Sequence, residues 1–508
     1  MVNLSAQILF HAARTPDRLA IIYETQHISY ADLADRSLRM GGFLQSKGVQ
    51  PGQVLAAVMK NSAAFLELAI AASHIGAVFL PINFRLSTSE IGYIVENSEA
   101  VLLFADAEYS ETVAGLLDAT VLVDAAAQED TRRLSGNADK PAAVARKPED
   151  LFRLMYTSGT TDRPKGVMHT YQNYYWKCLD HIAALGLTAH ERVLVVGPLY
   201  HVGAFDIPGT GVLYLGGMLV VQRNFDEDQV FSAIARERIT GAWLAPVMVG
   251  RLLASEHARE HDLSSFKWCI GGGEKTPENR ILRFSEVFTQ GRYIDAYGLT
   301  ETCGGDTFME AGREIEKIGS TGRALPHVEI RIFDEHGVIA PAGASGEICV
   351  RGPKVTQGYW KQEEKTRQSF FDGWFRTGDV GHMDSEGFLY LTDRKKDMII
   401  SGGENIASSE VERIIFALPQ IADVAVIGLP DERWGECVAA VVVFGSRQSL
   451  DLSELAAHCR RHLASFKVPK KLIVREALPR NPSGKVLKRV LRDELSADTS
   501  LNGKETSA

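Results

Sequence analysis

Between Tyr156 and Val167 the chain reads Tyr156-Thr157-Ser158-Gly159-Thr160-Thr161-Asp162-Arg163-Pro164-Lys165-Gly166-Val167, directly after an apolar, strand-like Leu151–Met155. This composition suits a polyphosphate. Gly159 and Gly166 let backbone N–H groups turn inward, Thr157, Ser158, Thr160 and Thr161 add hydroxyl donors, and Lys165 supplies a compact positive charge. The order is not that of a Walker loop, because Lys165 precedes Gly166 and no Ser or Thr follows it. Tyr297-Gly298-Leu299-Thr300-Glu301 sets a hydroxyl and a carboxylate side by side after a glycine turn. Glu301 can give Mg²⁺ an oxygen ligand while phosphates complete the shell, and Thr300 can donate to a phosphate oxygen. In Thr377-Gly378-Asp379 a carboxylate follows a glycine, where its two oxygens could accept both hydroxyls of a ribose, and Arg394 lies fifteen positions on. Alone, that tripeptide is an ordinary turn. Gly271-Gly272-Gly273-Glu274 signals only a close backbone approach, and Lys485 and His201 by themselves are one lysine and one histidine among many.

Taken in order, these motifs resemble those of the adenylate-forming superfamily, which includes acyl-CoA synthetases, peptide-synthetase adenylation domains and firefly luciferase. The resemblance runs from Arg14-Thr15-Pro16 to Pro482-Ser483-Gly484-Lys485, nearly the whole chain, with one departure: Asp162 stands where most relatives carry glycine. It implies a nucleotide site built from the Thr157–Thr161 loop, Lys165, Gly272, Gly273, Glu274, Asp295, Ala296, Tyr297 against adenine, Gly298, Thr300, and Asp379 with Arg394 on the ribose. Glu301 would hold Mg²⁺, His201 would lie beside the acyl carboxylate, and Lys485 would reach the α-phosphate and carboxylate oxygens. Lys396 matches the hinge between a large and a small domain. Ser401, Gly402, Gly403 and Glu404 match the segment along which the pantetheine arm of coenzyme A passes.

The activity so implied is an ATP- and Mg²⁺-dependent acid:CoA ligase. A thiol cannot displace oxide from a free carboxylate, so ATP first converts the acid to an acyl-adenylate, and the thiol of CoA then displaces AMP. The small domain would rotate about Lys396 between the two steps, withdrawing Lys485. The acyl-pocket candidates His201, Gly203, Ile207, Thr210, Trp243, Gly271 and Cys303 are mostly small or apolar and suit an aromatic, alicyclic or medium-chain fatty acid. Two rivals stand beside this reading: an adenylation enzyme that loads an acid or amino acid onto a carrier protein, and a catalytically idle nucleotide sensor. Phe205-Asp206 superficially resembles the pair that holds an α-amino group, but falls about four residues late relative to His201. Retention of Lys165, Glu301, Asp379, Arg394 and Lys485 together speaks against the sensor.

The 508 residues, 45% hydrophobic and 23% charged, are material for about two to four domains. A formal charge of −9 argues against a broad nucleic-acid or anionic-membrane surface. Six scattered cysteines lack metal or redox spacing, the N-terminus reads as an amphipathic helix without signal-peptide character, and no apolar run approaches membrane-spanning length. A cytoplasmic setting without integral membrane association follows as the expectation. Monomer and homodimer both stay open, since no heptad or appended assembly segment appears.

The elements that must position these groups read as α/β. Up to residue 150, and again over 190 to 300, short apolar strands alternate with helical patterns, as in Val54–Val58, Gly76–Pro81, Val193–Val196, Met218–Val221, Ala242–Ala245 and Trp268–Ile270. Residues 125 to 148 read as an exposed connection, and 320 to 392 as a small β-barrel-like part with period-two strands. The expected domains are thus 1–392, two α/β layers plus that β part, a hinge at 393–396, and an α+β lid over 397–508. In the lid, Ser409 with Glu412 reads as a capping box ahead of the Val411, Ile414, Ile415 and Leu418 stripe, and the last dozen residues as a frayed tail.

Overall fold

The computed structural model describes residues 3–124, 130–136, 138–157, 163–272, 276, 278–394, 397–401, 404–431, 434–445, 448–480 and 486–502. Two compact units result: Met1–Thr276 with Arg280–Ile330 and Val350–Arg376, and Pro277–Asn279 with Arg331–Cys349 and Thr377–Ala508.

The first unit carries two sheets. One has six strands in the order Thr120–Val123, Ala100–Asp106, Val54–Val58, Val78–Ile82, Leu151–Thr157, Lys165–Thr170, parallel throughout except for the last, antiparallel pair. The other has nine, and its centre runs parallel through Arg292–Tyr297, Trp268–Gly272, Gly241–Leu244, Arg192–Val195, Met218–Val221 and Leu19–Tyr23. Strands such as Val54–Val58 and Met218–Val221 are buried along their whole length, which is why they read as unbroken apolar runs rather than alternating ones. The Tyr30–Ser46 helix opens with a capping box from Ser29 and Asp32, and the Tyr171–Leu185 helix opens with one from Thr170 and Asn173.

The β-rich stretch is a five-stranded sheet, in which Trp374–Met383 pairs antiparallel with Leu389–Arg394. The second unit also holds the sheet formed by Glu404–Ile406, Ile399–Ser401, Gly435–Phe444, Ile421–Asp431 and Lys471–Val474. Its Ser408–Phe416 helix buries Val411, Ile414 and Ile415 as the stripe implied.

Three local expectations are corrected. The Ser408–Phe416 helix begins from Ala407 without a side-chain cap, because the Ser409 hydroxyl donates to the Thr392 carbonyl and Glu412 Oε1 accepts the Val426 N–H at 2.8 Å. The connection before the phosphate loop contains a short helix, Asp130–Ser135, whose buried Thr131 donates to Glu67 Oε2 at 2.6 Å. The final helix, Lys488–Asn502, runs into the supposed tail, with Leu491 and Leu495 packed in a core with Val441 and Ile427.

Candidate active site

The segment read as a phosphate loop is fixed at its two ends. Thr157 lies opposite Lys165 and Tyr156 opposite Gly166 in the ladder between Leu151–Thr157 and Lys165–Thr170. Ser158, Gly159, Thr160, Thr161 and Asp162, between those ends, fall outside the described residues. Thr157 Oγ1 is buried and has no hydrogen-bond partner among the described residues, so an oxyanion at the loop would satisfy an otherwise costly orphan.

Lys165, Glu301 and Tyr359 form a closed triangle. Lys165 Nζ donates to Glu301 Oε1 at 3.0 Å and to the Tyr359 hydroxyl at 2.7 Å, and that hydroxyl donates to the same Oε1 at 2.9 Å. Burial and the neighbouring carboxylate push the Tyr359 phenol far above its ordinary pKa, so it is a neutral donor. No cluster of three or more metal-ligating side chains occurs among the described residues. A single carboxylate such as Glu301 can serve Mg²⁺ in the arrangement common to nucleotide enzymes, where phosphate oxygens and water complete the shell.

The turn carrying Glu301 is held from both sides. Thr300–Thr302 is a single 3₁₀ turn, Thr356 N–H donates to the Glu301 carbonyl at 2.7 Å, and His169 Nε2 lies 2.6 Å from the Thr300 carbonyl. Gly298 is required by a close approach: a Cβ there would stand 2.2 Å from Gly305 N. The fully buried pair Lys354–Asp306, 3.0 Å apart, pins the Gly304-Gly305 stretch, with Lys354 Nζ also donating to the Gly304 carbonyl at 3.1 Å. Asp295 and Tyr297, at the end of the Arg292–Tyr297 strand, are buried, and Asp295 Oδ1 accepts the Ala296 N–H at 3.1 Å.

His201 caps the five-residue Val202–Asp206 helix, its Nδ1 accepting the Gly203 N–H at 3.0 Å. Burial lowers its pKa to about 4. A neutral ring that accepts at Nδ1 carries its proton on Nε2, so His201 is a hydrogen-bond donor rather than a base. The Trp243 indole stacks beside it, centroids 5.8 Å apart at 26°, and closes over Gly203, where a Cβ would lie 2.3 Å from the indole. A Cβ at Gly304 would lie 2.8 Å from Ile207 Cδ1, which places Ile207 against the turn that follows Cys303. The Cys303 thiol is buried and its pKa is pushed up to about 12, which removes it as a nucleophile. Gly271 is covered by the Tyr293 phenol, which is held by Thr276 at 2.8 Å. Thr210 commits its hydroxyl to the Phe205 carbonyl at 3.0 Å.

In the second unit, Asp379 and Arg394 are direct partners across the antiparallel ladder. Gly378 has φ +74°, and the Asp379 N–H donates to Thr377 Oγ1 at 3.0 Å, which fixes the turn presenting the carboxylate. Ser401 pairs with Glu404 in a short hairpin. Gly273, Glu274, Lys396, Gly402, Gly403 and Lys485 fall outside the described residues.

Two features escaped the sequence reading. Tyr359 lies in Gly358-Tyr359-Trp360, where nothing in the local pattern marks a phenol as polar, and it reaches the site through an isolated bridge to Val167. The second is a cleft of about 420 Å³ on the first unit, lined in part by Lys60, Arg85, Arg223, Phe84, Tyr109 and Pro198. Phe84 and Tyr109 stack at 5.4 Å, and Asn61 in its wall donates to the Gly197 carbonyl and accepts the Leu199 N–H, both at 2.8 Å, just ahead of His201. Its cations come from segments more than a hundred residues apart, so no linear motif marks it.

A family model described as AMP-binding enzyme matches residues 9–360, and one described as AMP-binding enzyme C-terminal domain matches residues 410–485. The chain is 37% identical over 484 residues to feruloyl-CoA synthase of Amycolatopsis sp, with 95% of this chain and 96% of that protein covered. To long-chain-fatty-acid–CoA ligase FadD13 of Mycobacterium tuberculosis it is 36% identical over 512 residues, with 98% and 99% covered. Its fold matches o-succinylbenzoate CoA synthetase from Bacillus subtilis, in complex with the acyl-adenylate intermediate OSB-AMP, at a TM-score of 0.87 and 31% identity over 96% of this chain and 97% of that one. The chain belongs to the AMP-binding enzyme family and, within it, to the AMP-forming acyl-CoA ligases. ATP, Mg²⁺ and CoA are the substrates and cofactor expected of that family.

Proposed function

We propose that this ligase activates an uncharged aromatic or alicyclic monocarboxylic acid. The observation that carries the reading is the His201–Trp243 stack over Gly203, a wall of flat rings beside a neutral imidazole whose Nε2–H can receive a carboxylate oxygen. Two names among the relatives point the same way: feruloyl-CoA synthase and indoleacetate–CoA ligase act on aromatic acids by their names, while FadD13 is named for long-chain fatty acids. An amino acid is disfavoured because Asp206, the carboxylate of the Phe205-Asp206 pair that would hold an α-amino group, is fully buried in ion pairs with Arg153 at 2.7 Å and Lys177 at 3.3 Å. The described lining residues supply no cation for a second carboxylate.

Within this reading, Lys165 and the Thr157–Thr161 loop hold the phosphates, Glu301 holds Mg²⁺ that offsets their charge, Asp379 takes the ribose hydroxyls, and Lys485 stabilises the charge that develops at the α-phosphate. Ser401–Glu404 borders the pantetheine arm. The Lys60/Arg85/Arg223 cleft takes the phosphorylated nucleotide end of CoA, since it sets Arg85 beside a stacked aromatic pair near the segment leading to His201, while Lys60 and Arg223 in the same wall are paired with Glu108 and Asp106. A cytoplasmic setting belongs to the same reading: the six cysteines are buried and none is joined in a disulfide, and among the described residues no helix is long and apolar enough to cross a membrane.

The deciding experiment is pyrophosphate release with MgATP across aromatic, alicyclic, medium-chain, long-chain and amino acids, each with and without CoA. The reading expects the strongest signal from an aromatic or alicyclic acid, with its acyl-CoA formed only when CoA is added. Signal confined to amino acids, or adenylate that never transfers to CoA, overturns it in favour of carrier loading. Arg85→Ala tests the cleft: KM for CoA should rise several-fold while pyrophosphate release in the absence of CoA stays unchanged.

A further inference from the structure

Behind the acyl wall of the first unit lies a charged chain that the reaction itself does not call for. Asp206, at the end of the Val202–Asp206 helix, accepts a hydrogen bond from Arg153 Nη2 at 2.7 Å. The same guanidinium lies against His169, with Nη2 2.9 Å and Nε 3.3 Å from Nδ1. The other ring nitrogen, Nε2, reaches the Thr300 carbonyl at 2.6 Å. Arg153, His169, Lys177 and Asp206 are each 1% exposed or less, so the chain has little water to replace it.

Its proton arrangement has a single consistent form. Arg153 can only donate, so Nδ1 of His169 accepts; Nε2 therefore carries the proton, and Thr300 O, which can only accept, receives it. Burial and the neighbouring guanidinium lower the His169 pKa to about 3, which keeps this neutral tautomer in place across any working pH. Lys177 Nζ lies 3.3 Å from Asp206 Oδ1, so this one buried carboxylate faces two cations, and His181 Nδ1 lies 3.0 Å from the Asp206 carbonyl.

We infer that His169 is a positioning residue for the Thr300-Glu301 turn, tied through Arg153 and Asp206 to the helix that His201 caps, so that the acid subsite and the Mg²⁺-triphosphate turn are held in register by one buried strut. Neither Arg153 nor Asp206 needs to touch a substrate for this. The strut joins two places whose spacing sets how the carboxylate meets the α-phosphate, and a small misplacement there is costly. The inference rests on the site roles given above, and its test is arranged so that it fails separately from them.

The test reads MgATP binding directly by titration calorimetry in the absence of acid, alongside kcat and KM for pyrophosphate release. Asp206→Asn, on the acyl side, should raise the MgATP dissociation constant by roughly two- to thirtyfold, although it lies three residues within a buried chain from Thr300. His169→Leu should do the same and lower kcat. His169→Gln, whose amide can accept from Arg153 and donate to Thr300, should recover most of the loss, which a purely volume-filling histidine would not show. The double variant of Asp206→Asn and His169→Leu should be no worse than the weaker single one, since both cut one path. Unchanged MgATP affinity in folded Asp206→Asn overturns the inference, as does full additivity or the absence of rescue by glutamine. If His169→Leu fails to fold, the Asp206→Asn and His169→Gln arms decide alone. A wild-type enzyme that binds MgATP yet activates no acid would sink the proposed function and leave these binding arms readable.

Discussion

The Tyr359 hydroxyl donates to Glu301 Oε1 at 2.9 Å and in the same geometry accepts from Lys165 Nζ at 2.7 Å, so one phenol orients both charged groups assigned to the triphosphate. A hydrogen bond to a charged group contributes roughly 1.5–3 kcal/mol, which corresponds to about ten- to a hundredfold. Tyr359→Phe keeps the ring under Lys165 and removes only the hydroxyl. It should raise KM for MgATP within that range and steepen the dependence on free Mg²⁺, with the KM for acid little changed, as measured by pyrophosphate release at varied MgATP. An equal loss in every parameter would show that Tyr359 only supports the fold.

That residue marks the boundary of what the sequence discloses. Lys165, Glu301 and Asp379 stand out in the sequence because glycines or hydroxyl residues flank them, whereas Arg394, in a charge run, is singled out only through the family resemblance; the ladder sets Asp379 opposite Arg394. The buried strands were readable for a similar reason, since a strand covered on both faces is an apolar run. Tyr359, His169 and Arg153 were not readable, because their roles arise from strands brought together by the fold: Tyr359 reaches Glu301 across 58 positions and Arg153 reaches Asp206 across 53. The Ser409-Glu412 spacing misled for the complementary reason. Both side chains found tertiary partners, Thr392 and Val426, that compete with the local cap.

In the proposed reading, Trp243 sets the breadth of the acyl site. Its indole fills the space over Gly203 and also faces Gly197, where a Cβ would stand 2.6 Å away. Trp243→Ala should therefore admit longer or bulkier acids that the parent enzyme turns over poorly, and should lower kcat/KM for a compact aromatic acid through lost stacking. Removing so large a buried ring should also cost about 3–5 kcal/mol of stability. A chain-length series of arylalkanoic and alkanoic acids checks the shift; an unchanged profile would remove Trp243 from the pocket wall.

Lys485 and Asp379 are assigned to different parts of the same nucleotide and should separate kinetically. Lys485→Ala should slow pyrophosphate release on the order of a hundredfold or more, by comparison with removing one preorganised donor elsewhere, with nucleotide binding largely kept. Asp379→Ala should instead weaken MgATP binding. Supplying synthetic acyl-adenylate bypasses the first half-reaction, so Lys485→Ala should form acyl-CoA from it and CoA at close to the parental rate. Failure of that bypass would place Lys485 in thioester formation as well.

His201 and His169 give the first unit an acid-sensitive stability whose sign can be worked out. Burial holds their folded-state pKa values at about 4 and about 3, below the ordinary 6.5 of an unfolded histidine. Between those limits the unfolded chain binds protons that the folded one does not, so their contribution is fully present above pH 6.5 and is lost as pH falls toward 4. Each such histidine adds a slope of about 1.4 kcal/mol per pH unit in that window. His201→Asn keeps a side-chain acceptor for the Gly203 N–H but has no proton to take up. Its denaturant-unfolding free energy, measured from pH 7 to pH 4.5, should lose that much less per pH unit than the parent enzyme's. Parallel pH profiles would mean that His201 titrates at its ordinary value and is not held neutral by the fold.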